Sequence, residues 1–471
     1  MVRRSAGFVE RSKIAVRNQG VTAAVTGAVN RLSAGRKLAW AQMDDIQELR
    51  LAAREKKAEV IAHLDTYLDT LITKISSRGG YVFQARTVAD MQGYLVNLIR
   101  TKGIRTVVKG KSMVSEEAHL NLAMEAYGAE VFETDLGEYI VQLAGETPSH
   151  ILGPAMHKTK EDIADLFSQK LGGPTLSTPE ELTALARETL RRKFLTAGLG
   201  LTGVNLAVAE TGTIVLLENE GNIRMSTTLP RIHVAVMGLE KIVPSFADLA
   251  VFLKLLPRTA TGQKMPSYVS FINGPWPMPP GEGPEEFHLI ILDNGRRRIA
   301  ADPDLRSALS CIRCGACLNV CPVFRRLGGG HPYGFTYSGP IGAILAPLMS
   351  DLPDAAHLPF ASTLCGACRD ACPVMIDHPS LLLKLRYRIA SQKNPSSPRL
   401  LTEKLLVQAA GRVKRHLGLY QAAIRVARLT RMLGIDSNGL VTRAGLVFRP
   451  PAPRTYREMK RHLNSKRKKN S

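Results

Sequence analysis

The chain has 471 residues, 45% hydrophobic and 22% charged, with 39 Gly and 27 Pro. At roughly 100–200 residues per domain it holds two to four domains, and its composition excludes collagen, wholesale disorder and low-complexity sequence. The net charge of +22 points first to nucleic acid.

The map of that charge removes the suggestion. Residues 1–40 carry eight Lys/Arg against one acid, and residues 380–471 carry 22 against three. The stretch 41–379 carries 33 against 37, so a mildly acidic body has two basic ends. No nucleic-acid partner is expected. The ends are the kind of segment that stays solvated, or docks an acidic partner or an anionic membrane surface. No run of about 18 apolar residues marks a membrane span. The N-terminus lacks the apolar core of a secretory signal. A cytoplasmic protein is expected, with peripheral association at the inner membrane face through the basic tail as a further option.

Residues 46–78 carry apolar side chains at helical spacing (Val60, Ile61, Leu64, Leu68, Leu71, Ile75) and predict one amphipathic helix, stopped by Gly79-Gly80. Strand and helix then alternate: strand 81–85, a helix capped by Thr87, strand 105–108, a helix capped by Ser115, strand 129–133. This rhythm implies a mainly parallel sheet with covering helices. Thr178-Pro179 opens a further helix, with Pro at its first position. Strands follow at 204–208, 213–217, 233–237, 268–272 and 287–292, with a helix from Ser245 to Leu256 among them.

Several polar motifs invite a function. Gly198-Leu-Gly-Leu-Thr-Gly203 matches a dinucleotide fingerprint, but it follows a helix and precedes a strand, so a glycine-rich turn is the better reading. Gly110-Lys111-Ser112 lacks the earlier glycine of a P-loop; Lys109, Lys111 and Ser112 could still meet an anion in a strand-to-helix turn. Glu210, Glu218, Asn219 and Asn222 flank a strand and suggest a pocket, with Glu210 as candidate acid/base; turn chemistry is the competing reading. Asp135, Glu138 and His150 form a second polar group.

All seven cysteines lie between 311 and 372. Cys311-x2-Cys314-x2-Cys317-x3-Cys321-Pro322 is the complete bacterial ferredoxin run, in which three thiolates wrap one cluster and the fourth reaches another. A tetrahedral zinc site usually takes two separated CxxC halves, a poor fit. Cys365-x2-Cys368-x3-Cys372-Pro373 repeats the run with Ser362 at its first position. Crossover then assigns Cys311, Cys314, Cys317 and Cys372 to cluster 1, and Cys321, Cys365 and Cys368 to cluster 2. Three arrangements meet the gap: a [4Fe–4S] cluster with an open or non-cysteine-ligated iron, a [3Fe–4S] cluster, or a ligand from Ser362, His331, His357 or a partner. An ordinary loop serine is favoured at Ser362, because a hydroxyl is a poor iron ligand beside thiolate.

Lys109-Gly-Lys-Ser-Met-Val-Ser-Glu-Glu117, Glu133-Thr-Asp-Leu-Gly-Glu138, Pro148-Ser-His-Ile151, Gly203-Val-Asn205, Ala209-Glu-Thr-Gly-Thr213, Asn219-Glu-Gly-Asn222, Met237-Gly-Leu-Glu-Lys-Ile-Val-Pro244 and Ile291-Leu-Asp-Asn-Gly295 resemble the LUD domain of lactate-utilisation proteins. With the two cysteine runs and Tyr337-Ser-Gly-Pro-Ile-Gly342, residues 45–460 resemble the iron–sulfur subunit of the L-lactate utilisation system. The resemblance implies a NagB/RpiA/CoA-transferase-like α/β LUD domain, then an α-helical ferredoxin-like 2[4Fe–4S] module and a basic helical C-terminal tail. It implies that the seven-cysteine pattern is the family's own. It also implies two partners, a CCG-domain iron–sulfur protein and a second LUD-domain protein, and an electron-transfer role in oxidising L-lactate to pyruvate. The electron acceptor is unknown. The expected boundaries are 1–80 for the basic extension and amphipathic helix, 81–300 for the LUD domain, 301–379 for the iron–sulfur module and 380–471 for the basic helical region with its tail.

Overall fold

The computed structural model describes residues 7–173, 176–276, 281–350, 355–392 and the isolated positions 408, 416, 418 and 422. The chain divides into two units, 1–389 and 390–471. Apart from those four positions, the expected basic tail beyond residue 392 lies outside the described residues.

Among the described residues ten strands form, in chain order: β1 (Tyr81–Ala85), β2 (Thr106–Lys109), β3 (Glu130–Glu133), β4 (Leu199–Gly203), β5 (Leu206–Val208), β6 (Thr213–Glu218), β7 (Ile232–Gly238), β8 (Ile242–Val243), β9 (Tyr268–Ile272) and β10 (Glu286–Leu292). Six make one sheet in the order β1-β10-β7-β4-β2-β3, and every pairing in it is parallel. Strands buried on both faces have near-continuous apolar runs, as β7 and β10 do. The other four make a second sheet, β8-β5-β6-β9, in which only the β5–β8 pair is parallel.

The order of the large sheet fixes where a ligand can enter. From β2 the chain moves outward to β3, whereas from β4 it moves the opposite way to β7. Two adjacent strands whose connections leave in opposite directions make a crevice at their carboxyl ends. Lys109, Gly110, Lys111 and Ser112 sit at that end of β2, and Gly203 ends β4.

The expected glycine-rich turn at 198–203 is instead β4, one of the inner strands. Its glycines serve packing. A Cβ on Gly200 would overlap the Ser226 carbonyl oxygen, and one on Gly203 would lie 2.5 Å from Ser112 Cβ. Gly200→Ala should therefore cost about 1–3 kcal/mol through overpacking, read as a lower urea midpoint at unchanged m-value.

Two expected helices are broken. The 46–78 helix divides at His63 (φ −120°, ψ 36°) into Ile46–Ala62 and Leu64–Ser76. The first piece buries Arg50, Ala53, Lys57, Val60 and Ile61, and the second buries Leu64, Leu68, Leu71 and Ile75; Val60 shares one core with the second piece. The Ser115 cap is also displaced. Ser112 caps Met113–Glu117, and His119 (φ 49°) separates it from Leu120–Glu125.

The N-terminal region is more than an appendage. Helix Gln19–Ala41 buries Val25, Val29, Ser33, Arg36 and Ala39. Val25 and Val29 share one core with Phe252 and Leu255 of helix Phe246–Ala260 and with Ile312, Leu318, Ile344 and Leu382 around the cysteines.

Candidate metal centre

The two cysteine runs fold as a structural repeat. Arg313 and Leu364 occupy matching positions and both adopt positive φ (60° and 55°), as do Gly315 and Gly366 (73° and 86°). Each pair turns the chain sharply, so that the next cysteine enters a short helix, Ala316–Asn319 or Ala367–Asp370. Cys321 then caps Pro322–Arg326, its Sγ accepting from Phe324 N at 3.5 Å, and Cys372 Sγ accepts from Ile376 N at 3.4 Å. By this repeat Ser362 stands where the first run has Cys311. Its Oγ accepts from Leu364 N at 3.2 Å, a local turn bond.

The seven thiols are free. Cys311, Cys314, Cys317 and Cys372 line one cavity, walled by Ile151, Ile312, Ile341, Val374 and Ile376. Three thiols of the first run thus meet the last thiol of the second. Burial holds Cys314 and Cys317 well above the ordinary thiol range, and neighbouring thiolates add to it. Cys372 is pushed up to about 12, chiefly by burial. Cys314, Cys317 and Cys372, which resist ionisation alone, share an apolar-walled cavity with Cys311, a donor set suited to irons that neutralise thiolates. Cys368 is likewise raised to about 12 by burial and then by Cys321, with Cys365 adding to it. Cys321, Cys365 and Cys368 thus form the second group, with Cys365 exposed at its edge. Among the described residues no three His, Cys, Asp or Glu side chains are placed to hold a single metal ion; a cluster spreads its thiolates over several irons.

Buried cations surround the four-thiol cavity. Arg36 and Arg50 both lie 4.9 Å from the Trp40 ring centroid, a double cation–π stack. Arg36 lies close enough to favour a thiolate at Cys314, and Arg50 one at Cys372, to whose carbonyl its NH2 also donates at 2.9 Å. On the other side Lys57, Lys241 and Arg313 all sense Cys311. Burial lowers both lysines to about 8.

Beneath these cations an ionic seam ties the cysteine loop to the large sheet. Arg296, fully buried, makes a bidentate pair with Glu117 (2.9 and 2.7 Å) and donates to Glu240 at 2.6 Å. Glu240 also accepts from Arg313 at 3.0 Å, and Tyr337 donates to Glu117 at 2.7 Å. Burial opposes the Glu240 charge, but Arg296 and Arg313 overcome it and hold its pKa down to about 2.

The expected pocket around Glu210 is not assembled. Glu210 lies on an exposed turn before β6, its carboxylate accepting from Phe246 N at 2.8 Å, which caps the following helix. Glu218, at the other end of β6, accepts from Ile223 N and Arg224 N at 2.7 and 2.8 Å. Asn219 accepts from Ser267 N at 2.9 Å, and Asn222 donates to Thr134. The Glu210 and Glu218 bonds cap helices, while those of Asn219 and Asn222 tie distant segments together. Of the second polar group, Asp135 caps helix Leu136–Ala144, while Glu138 and His150 face Lys111. His331 bonds the Thr147 carbonyl and His357 stacks on Phe8.

Sequence reasoning passed over Arg36, Arg50, Lys57, Glu117, Glu240 and Arg296. The signal available was a charged residue inside an apolar stripe, as Lys57 is among Ala53, Val60 and Ile61.

"Lactate utilization protein B" of Bacillus licheniformis is 46% identical over 405 residues, covering 86% of this chain and 84% of its own. The chain belongs to the lactate utilization protein B family. The family's members of the same name in Bacillus subtilis and a Geobacillus species are both 45% identical, over 88% and 90% of this chain and 86% and 88% of their own. A LUD domain model matches residues 68–292, and a 4Fe-4S dicluster domain model matches residues 307–376. A LUD domain of strands and helices with a parallel main sheet is thus followed by an iron–sulfur dicluster region. A crystal structure of a DUF162 family protein from Deinococcus radiodurans aligns at 15% identity with a TM-score of 0.27, over 49% of this chain and 98% of its own. No helix among the described residues is long and apolar enough to cross a membrane.

Proposed function

We propose that this chain is the iron–sulfur electron-transfer subunit of a system that oxidises L-lactate to pyruvate. The observation that carries the iron–sulfur part is the shared cavity of Cys311, Cys314, Cys317 and Cys372, which joins residues from both cysteine runs. The lactate part rests on the names of relatives that match 86% and 88% of the chain. In this reading those four cysteines hold one [4Fe–4S] cluster. Cys321, Cys365 and Cys368 hold a second, of four or three irons. Bound clusters supply one-electron transfer in series.

The residues divide the labour by charge and exposure. Arg36, Arg50, Lys57, Lys241 and Arg313 favour added negative charge at the buried four-cysteine site, since net charge near a cluster sets its potential. Cys365, exposed and beside Asp370, puts the second site at the surface, where a partner's electrons can arrive or leave. Oxidation of lactate yields pyruvate, two electrons and two protons, so the electrons pass one at a time. The partners proposed are a CCG-domain iron–sulfur protein and a second LUD-domain protein, in the cytoplasm, with the basic C-terminal region available to dock at the inner membrane face. The LUD domain is proposed to share the NagB/RpiA/CoA-transferase-like fold.

Co-purifying the intact complex anaerobically and adding L-lactate tests this. Lactate-dependent reduction of the clusters in this subunit is expected. Clusters that dithionite reduces but lactate with both partners does not would refute the lactate role.

A further inference from the structure

The carboxyl end of β2 holds two lysines with opposite surroundings. Lys109 is fully buried and saturated, donating to Glu116 at 2.8 Å and Glu133 at 2.5 Å. Lys111 is not. Its Nζ is buried without a hydrogen-bond partner, and its nearest carboxylate, Glu138, is 3.9 Å away.

Glu138 does not neutralise it. The Glu138 side chain is only 5% exposed, and burial raises its pKa to about 8 despite Lys111. At neutral pH it mostly keeps its proton. The Lys111 side chain is 18% exposed, yet its Nζ has no hydrogen-bond partner, and such an orphan calls for an explanation. It lies at the carboxyl ends of the paired strands β2 and β4, whose connections leave in opposite directions, where a parallel sheet takes its ligand.

We propose that this crevice binds a small monocarboxylate, with its carboxylate on Lys111 and Glu138 as the adjoining hydrogen-bond donor. One cation favours one negative charge. Asp135 and Glu220 stand close by, with Glu220 sensing Asp135 and Lys111, and they disfavour a dianion.

The crevice also borders the cysteine loop. His150 is buried; its Nδ1 accepts from Leu152 N at 3.0 Å, which leaves Nε2–H to donate to Asn319 Oδ1 at 2.8 Å. Burial, then the charge of Lys111, lowers it to about 3, so it is neutral. Asn319 lies two residues after Cys317, and a Cβ on Gly315 would be 3.2 Å from His150 Cε1. His150 is therefore a positioning residue, the common wall between the crevice and the four-cysteine site. Joined to the function proposed above, on which this identification rests, the monocarboxylate is L-lactate or pyruvate.

Isothermal titration of the cluster-loaded full chain with L-lactate, pyruvate, succinate and phosphate tests the site. Saturable binding of lactate or pyruvate is expected, weakened at least about tenfold by Lys111→Met, as for loss of a charged hydrogen bond. Lys111→Arg, which keeps the charge, should restore most of it. Unchanged cluster EPR spectra in each variant establish that the fold is kept; should Lys111→Met not fold, Lys111→Gln replaces it. No saturable binding of lactate or pyruvate, equal binding by the variant, or equal affinity for succinate or phosphate overturns the proposal. Missing cluster signals with lactate binding intact would instead sink the electron-transfer reading and leave this site standing.

Discussion

Arg296→Leu is expected to remove about 3–5 kcal/mol of stability. The side chain is fully buried between Glu117 and Glu240. Its loss leaves two buried carboxylates, of which Glu240 keeps Arg313 and Glu117 keeps only Asn294 and Tyr337. Domains of ordinary stability have about 5–15 kcal/mol in total, so the variant should lie near the threshold of folding. The seam joins β10's following helix to the cysteine loop through Arg313, so iron retention should fall with stability. Urea unfolding with parallel iron assay measures both. A change under about 1 kcal/mol would mean that water takes over the carboxylates, as at surface pairs.

Cys372→Ala is expected to abolish the cluster built on the first cysteine run while sparing the other. The reason is the crossover: Cys372 belongs to the second run but faces the cavity of Cys311, Cys314 and Cys317. About half of the iron should be lost, along with the EPR signal of the buried cluster. Cys365→Ala should do the converse, because Cys365 is exposed and grouped with Cys321 and Cys368. If Cys372→Ala removed the same signal as Cys365→Ala, the ligand sets would follow the runs and the crossover would be wrong.

The local rules of the chain recovered most of the strands. Tyr81–Ala85 and Tyr268–Ile272 form as expected, and Thr87, Thr178 and Ser245 cap the helices that their positions announced. The cysteine spacing was equally legible, because a cluster imposes a fixed interval on its ligands. What escaped depends on distant partners. The 198–203 segment looked like a turn because glycine is a turn former; it is a strand because Ser226 and Ser112 press against it from far along the chain. The division of the chain into two sheets lies in long-range pairing, such as β5 with β8, which no local period encodes.

The site followed the same pattern. Glu210 drew attention as a carboxylate in a glycine turn, and its partner turned out to be the backbone of Phe246. Lys111 was legible as a residue that could meet an anion in a strand-to-helix turn, with a solvated turn as the even alternative; only the fold surrounds it with Glu138 and His150. Part of the positive charge at the N-terminal end also changed meaning, since Arg36 lies buried beside the cysteines.

The most direct test of the account is EPR of the anaerobically purified, dithionite-reduced chain, with iron and zinc quantified on the same sample. Signals from two magnetically interacting iron–sulfur clusters, with iron in excess over zinc, are the predicted result. A chain with stoichiometric zinc and no iron–sulfur signal would contradict it.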